Sequence, residues 1–315
     1  MKRILLFCIL SFVSTVVSAL TLPAPERAED SIIGDPPYQV KYVAAKYEDT
    51  LIDIAVAHHL GQEEIVLANP SVDRWLPGAG TPVRIPTSFI LPNAPRQGIV
   101  VNLPEMRIYY YPDKSRVVTY AVGVGRENNW KTPLGRTQIV GKMENPSWTP
   151  PPSIIAEHLA EGDVLESYYP PGPDNPLGLF AFRLGIPGYL IHSTQKTNGI
   201  GMRVSHGCMR MYPADIEKFF PTVKVGTPVN IVNQSIKVGW YHDTLYMEVY
   251  PEMEETPATF EQRVHRALDL IQQANGGQMP VIKGSILKAA LAKPSGLPIA
   301  IYERPIKNAA QAVQN

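Results

Sequence analysis

Tyr189-Leu190-Ile191-His192-Ser193 and Ser205-His206-Gly207-Cys208-Met209-Arg210, with twelve residues between His192 and Ser205, decide the reading of this chain. Leu190-Ile191 is an apolar pair of strand character, so His192 is carried at a rigid strand end. Cys208 follows a glycine, which lets the backbone turn sharply and aim the N–H groups of Gly207 and Cys208 at one point. The chain has two cysteines, and the other, Cys8, lies in an N-terminal apolar run. A lone thiol in an exported chain is open to oxidation, so beside histidines it reads as a nucleophile rather than as packing. A thiol attacks well only once a base takes its proton, and imidazole suits that task because its pKa lies near working pH. His192 is the expected base and His206 the alternative. Nucleophile, base and N–H pocket together define acyl transfer through a thioester. His192, His206 and Cys208 are also the residue types of a zinc site, but no CxxC or HxxxH spacing accompanies them. Neither a metal nor another cofactor is expected.

The first nineteen residues have the pattern of a secretory signal. Lys2 and Arg3 precede an apolar core over 4–17, and Val17-Ser18-Ala19 supplies small residues for cleavage after Ala19. Leu5-Leu6-Phe7-Cys8 lacks the small residue that a lipidation site needs before its cysteine. No later stretch is apolar for long enough to span a bilayer, so an exported, periplasmic chain without integral membrane contact is expected. Lys plus Arg balances Asp plus Glu at 29 each, which together with the absence of a basic run excludes nucleic acid as a partner. With 44% hydrophobic content, 315 residues can fill one or two cores. The 31 prolines and 23 glycines imply rigid turns and short strands, hence a mainly β architecture.

Residues 24–37 are polar and read as a linker. Residues 38–87 read as a compact βααβ unit: a strand over 38–43, a helix opened by Glu48-Asp49-Thr50, a second helix over 63–67 stopped by Asn69-Pro70, and a closing strand over 82–86. A proline-rich hinge is expected over 90–96. Strands follow over 98–103, 106–111, 116–125, 136–142, 180–184, 189–192 and 228–232, with helices over 155–161 and 213–220. That run, 98–233, predicts a β-sandwich catalytic domain with short helices. An α+β extension is expected over 234–304, with a hairpin over 240–250 and helices over 259–274 and 285–292. Residues 305–315 read as a disordered tail. Val122-Gly123-Val124-Gly125 is not a phosphate loop, since the third glycine and the following helix are missing.

The His192 to Arg210 signature resembles that of L,D-transpeptidases of the YkuD type. Ile99-Val100-Val101-Asn102, Arg107-Ile108-Tyr109-Tyr110-Tyr111, Thr132-Pro133, Trp148-Thr149-Pro150 and Gly172-Pro173-Asp174-Asn175-Pro176 resemble the family in the same order. The resemblance implies Cys208 as the acyl-accepting nucleophile and His192 as proton donor and acceptor. The Ser193 carbonyl would orient the imidazole in place of an Asp, although this chain has Ser193-Thr194 where many relatives have Gly-Thr. Ser205 and His206 would shape the pocket, and Arg210 would receive a substrate carboxylate.

The 38–87 unit resembles a LysM module through Glu48-Asp49-Thr50-Leu51, Leu67-Ala68-Asn69-Pro70 and Pro77-Gly78, with Glu48 where the family has glycine. It reads either as a glycan-binding module or as a packing domain that has lost sugar binding. The module and the C-terminal extension together resemble periplasmic enterobacterial members. The implied partners are peptidoglycan stem peptides and glycan. The acceptor is an outer-membrane (lipo)protein anchored to the wall or a second stem in a three-to-three cross-link. Two rival readings are a non-catalytic wall-binding protein and a cysteine peptidase of ordinary proteins. The intact His192 and Cys208 pair opposes the first. The order of histidine before cysteine, and the missing papain-like context, oppose the second.

Overall fold

The segment Arg107–Tyr111 is buried at every position, because both of its faces are covered. With the period of two of a strand, Ile108 and Tyr110 turn to a core that holds Phe182, Met209 and Phe219. Tyr109 and Tyr111 turn the other way, toward Ile33, Phe89 and Leu91. This computed structural model describes residues 20–305. The expected signal peptide over 1–19 and residues 306–315 of the expected tail lie outside the described residues.

In chain order the N-terminal elements are β1 (Leu20–Pro23), β2 (Ile32–Gly34), β3 (Lys41–Ala44), α1 (Leu51–Ala57), α2 (Gln62–Ala68), β4 (Pro82–Ile85) and β5 (Ser88–Ile90). The central block comprises β6 (Gly98–Asn102), β7 (Arg107–Tyr111), β8 (Arg116–Ala121), β9 (Val124–Gly125), β10 (Gly135–Glu144), α3 (Pro152–Ala160), β11 (Phe180–Leu184), β12 (Leu190–Ser193), β13 (Arg203–Ser205), β14 (Met209–Met211), α4 (Pro213–Phe219) and β15 (Pro228–Val232). The C-terminal unit has β16 (Ile236–Tyr241), β17 (Thr244–Val249), α5 (Phe260–Ala274), α6 (Gly284–Ala292) and β18 (Ile299–Glu303).

Among the described residues, nine strands form one sheet in the order β1-β8-β7-β6-β15-β10-β11-β12-β14. It curls so that apolar side chains from both ends, Tyr120 on β8 and Met211 on β14, share one core. Phe219 of α4 plugs that core, edge-on to Tyr110 at 5.2 Å and tilted against Tyr120 at 4.8 Å. Each such ring pair adds about 0.5–1.5 kcal/mol beyond its buried area. The mainly β class is the one expected.

Several local expectations need correction. Residues 24–37 are not a linker, since β2 pairs with β5 and Asp30, Ile32 and Ile33 are buried. Residues 90–96 are not a free hinge. The Ile90 N–H donates to Glu248 Oε2 at 2.8 Å and that of Leu91 to the Ser31 carbonyl at 2.7 Å. The main sheet also takes in residues before 98, because β1 pairs with β8. The 116–125 strand breaks after Ala121, and β18 adds a third strand to the expected C-terminal hairpin.

The βααβ unit forms as β3, α1, α2 and β4 around Leu51, Ile54, Leu60, Ile65 and Val83. Thr50 and Asp53 close a reciprocal capping box at the start of α1. Asn69 ends α2 and ties it to β4: its side chain donates to the carbonyls of Ile65 and Arg84, and the Arg84 N–H donates back at 2.7 Å.

A buried polar network joins this unit, the main sheet and the C-terminal unit. Arg107 is 0% exposed, lies over the Phe89 ring at 4.2 Å, donates to Thr119 Oγ1 at 3.1 Å and pairs with Glu64 of α2. Lys237 of β16 sits 2.8 Å from Glu105 and 3.2 Å from Glu248, and donates to the Ile90 carbonyl at 2.6 Å. The hydroxyls of Tyr109 and Tyr250 donate to Glu105 and Glu248 respectively. Buried charges persist only when paired and hydrogen-bonded in this way.

Candidate active site

The two halves of the sequence signature meet at the end of the main sheet. β12 and β14 are parallel neighbours with His192 opposite Arg210, and Cys208 immediately precedes β14. All three line one cavity of about 580 Å³. Its other walls include Trp130, Tyr189 and the segment 145–178, which covers the site. That segment is pinned by paired backbone bonds between Trp148 and Tyr169. Buried Asn175 pins it as well, donating to the carbonyls of Pro146, Tyr169 and Pro170.

His192 is 4% exposed, and its Nδ1 donates to the Ser193 carbonyl at 2.5 Å. That bond leaves Nε2 unprotonated in the neutral ring. Burial, reinforced by the Arg210 charge, pulls the imidazole down to about 4, against the carbonyls of Ser193 and Leu177. Cys208 Sγ accepts from the Leu190 N–H at 3.3 Å. Burial raises the thiol above its ordinary value, although the Leu190 N–H and Arg210 both favour the thiolate. Burial thus favours the thiol and the neutral imidazole, and the thiol itself is directed at the Gly188 carbonyl, 3.7 Å away.

This pairing fixes a pH dependence. Alkylation of Cys208 by iodoacetamide is expected to be slow at neutral pH and still climbing at about pH 9, because only the thiolate reacts. A rate that levels off below pH 7 would mean a preformed thiolate–imidazolium pair and would contradict this electrostatic reading.

The turn at Gly207 needs glycine twice over. Its φ is +103°, and a Cβ there would meet Tyr189 Cε1 at 2.6 Å. Its N–H does not point freely at a reacting carbonyl but donates to Ser205 Oγ at 3.1 Å. The Ser205 hydroxyl in turn donates to the Cys208 carbonyl. Thr132 Oγ1 donates to the Gly207 carbonyl at 2.8 Å and accepts from the Gly125 N–H at 2.9 Å, bracing the turn against β9.

His206 lines the same cavity, with its Nε2 engaged by the covering segment. Its Nε2 lies 2.7 Å from Glu157 Oε2 and 2.8 Å from Arg126 Nη2, and its ring stands edge-on to Trp130 at 4.6 Å. Glu157, on α3, also accepts from Trp130 Nε1 at 3.0 Å and from Arg126 at 2.6 Å. Partial burial works against its charge, but these bonds hold the carboxyl below its ordinary value. His206 thus clasps the covering segment to the Ser205–Cys208 turn. Arg210 lies on the cavity wall with no carboxylate among the described residues within ion-pair distance. Among the described residues no three His, Cys, Asp or Glu side chains converge as metal ligands.

Sequence reasoning missed Glu157 on α3 and Arg126 and Trp130 of the loop after β9, two segments with no shared spacing. It also missed the Leu190 N–H and the Leu177 carbonyl, since backbone groups leave no mark in a sequence.

At the end of the curled mixed sheet, a buried imidazole, a thiol on a Ser-His-Gly turn and a guanidinium line one cavity. A model of the YkuD family, the L,D-transpeptidase catalytic domain, matches residues 96–231. The chain is 36% identical over 298 residues to the probable L,D-transpeptidase YbiS of Escherichia coli K12, an alignment that covers 93% of this chain and 95% of that one. It is 35% identical over 316 residues to the probable L,D-transpeptidase ErfK/SrfK of the same strain, covering 96% and 97%. It is 40% identical over 238 residues to the probable L,D-transpeptidase YcfS, covering 72% and 73%. The chain belongs to the YkuD family of L,D-transpeptidases. Among its described residues no helix is long and apolar enough to cross a membrane.

Proposed function

We propose that this protein is an exported, periplasmic L,D-transpeptidase that works through a Cys208 thioester on peptidoglycan tetrapeptide stems and anchors an outer-membrane (lipo)protein to the wall. The observation that carries the reading is the neutral imidazole of His192, fixed by the Ser193 carbonyl in one cavity with Cys208 and the unpaired Arg210. Cys208 Sγ attacks the carbonyl between the diamino acid at position three and D-Ala at position four, while its proton passes to His192 Nε2. With Gly207 engaged by Ser205, the Cys208 N–H is the donor assigned to the developing oxyanion, a contribution of about 3 kcal/mol at such sites. Collapse of the intermediate breaks the L-to-D amide bond, and D-Ala leaves with the proton held by His192. Arg210 receives the stem carboxylate. An incoming amine attacks the thioester and loses its proton to His192, and the thiol is regenerated. A lysine-type amine on a protein gives an anchor, a second stem gives a three-to-three cross-link, and water gives carboxypeptidase activity.

The βααβ unit is assigned as a LysM module that holds the enzyme at glycan strands. Exposed aromatic faces on its loops support the assignment, Tyr47 at 86% and Trp75 at 59%, since such faces stack on sugar rings.

Incubating the mature protein with a soluble tetrapeptide stem and a lysine-ended peptide tests both levels of the reading by mass spectrometry. Release of D-Ala with a stem–peptide amide is the expected result. Stem dimers in place of that amide would favour the cross-linking branch. No release of D-Ala from any stem would reject the transpeptidase assignment.

A further inference from the structure

The loop between His192 and Cys208 is not held by the catalytic sheet alone. Residues 194–201 leave Ser193, whose carbonyl fixes the imidazole, and lead into β13, whose Ser205 holds the nucleophile turn. Both catalytic side chains are thus mounted at the two ends of one loop. On its inner side the loop is tied to the sheet: the Gly201 N–H donates to the Val122 carbonyl at 3.1 Å and the Val124 N–H to the Met202 carbonyl at 3.0 Å.

On its outer side the loop meets the N-terminal βααβ unit. The N–H groups of Gln62 and Glu63, in the first turn of α2, donate to the carbonyls of Ile200 and Gly201 at 2.9 and 3.2 Å. Gln62 Nε2 donates to the Asn198 carbonyl at 3.3 Å. The backbones touch: a Cβ on Gly201 would fall 2.2 Å from Gly61 Cα, and Gly201 has φ +75°. Flanking bonds fix the angle of approach. Tyr212 donates its hydroxyl to the Leu60 carbonyl at 3.0 Å, His59 lies 2.7 Å from buried Asp215, and Glu64 pairs with Arg107. A unit that only tethered the enzyme to the wall would not need main-chain bonds to the loop that carries the reacting groups.

We infer that the N-terminal unit has a second function: through the Gly61–Gly201 seam it positions the 194–201 loop, and with it His192 relative to Cys208. The inference rests on the assignment of those two residues as base and nucleophile. Gly61 and Gly201 are positioning residues, which touch no substrate. A displacement of about 1 Å at such a site costs up to about 100-fold in rate, so a seam set by two bare α-carbons is a sensitive point of control. Removal of the whole unit would expose the loop and orphan Arg107, so point substitutions in the intact mature chain are the appropriate probe.

Gly61→Ala is the primary variant. Gly61 has φ −75°, which alanine adopts without strain, and the new Cβ would press on Gly201 Cα at 3.0 Å. Its kcat for D-Ala release from a soluble tetrapeptide stem should fall about tenfold with KM unchanged, on the scale that small misplacements produce. The pH profile of Cys208 alkylation should be displaced from that of the parent. Gly201→Ala should fall further, and Glu48→Ala, exposed on the same unit, should match the parent in both measurements. A shift in melting point alone, with parental kcat and a parental alkylation profile in folded Gly61→Ala, would overturn the inference. A parent that releases no D-Ala would reject the substrate assignment instead. The alkylation profile would then decide the seam by itself.

Discussion

A Cys208→Ala protein is expected to fold as the parent does and to transfer nothing. The side chain is small, its sulfur accepts one backbone N–H, and the turn that holds it is built from Gly207, Ser205 and Thr132 rather than from the thiol. Loss of the nucleophile from an acyl-transfer site lowers turnover by roughly a thousandfold or more. The check is D-Ala release from a tetrapeptide stem, read beside thermal melting. Residual release near the parental rate from a folded Cys208→Ala protein would remove the thioester from the mechanism. His192→Ala should leave the thiol in place and lower turnover by about 10²- to 10⁴-fold, the usual share of a general base. Because His206 is committed to Glu157 and Arg126, it is in no position to substitute.

The largest effect on stability is expected from Arg107→Met. Arg107 is fully buried between the main sheet and α2, and its removal strands Glu64 in an apolar junction without its partner. Breaking one side of such a pair costs about 3–5 kcal/mol, which for a chain of this size lowers the melting midpoint by about 10 °C. The same change lengthened to Arg107→Met with Glu64→Met should recover part of the loss, because two apolar side chains leave no orphaned charge. A melting midpoint equal to that of the parent in the single variant would show that this network does not stabilise the junction.

The catalytic end of the fold was legible because its signals are local. Leu190-Ile191-His192 reads as a strand end, and Gly207 before Cys208 reads as a sharp turn. The structure places the first on β12 and gives the second φ +103°. Glu48-Asp49-Thr50 likewise marked a helix start, which Thr50 caps with Asp53, and the helix expected from 259 begins where Thr259 and Gln262 form a capping box. The N-terminal connections were misread because their signal is non-local. Ile32-Ile33 is too short an apolar pair to announce a strand amid prolines and acids, and it is buried only because β5 and Trp240 come to it from far along the chain. The 90–96 stretch looked like a hinge because proline is common in hinges, yet Pro92 and Pro95 sit beside Ile90 and Leu91, which are anchored to Glu248 and Ser31. The clasp of Glu157, Arg126, Trp130 and His206 needs three segments to converge, which no spacing in the sequence encodes.

A linker and a hinge imply an enzyme that hangs from a wall-binding module. The buried ion pairs of Arg107 and Lys237 instead tie the βααβ unit, the sheet and the C-terminal unit to one another.

In the proposed mechanism acyl groups are carried on Cys208. Intact-mass measurement of the mature protein after treatment with a carbapenem, followed by peptide mapping, tests it most directly. A single adduct is expected, mapped to Cys208, and none on the Cys208→Ala protein. An adduct on a serine or lysine, or an equal adduct on the Cys208→Ala protein, would contradict it.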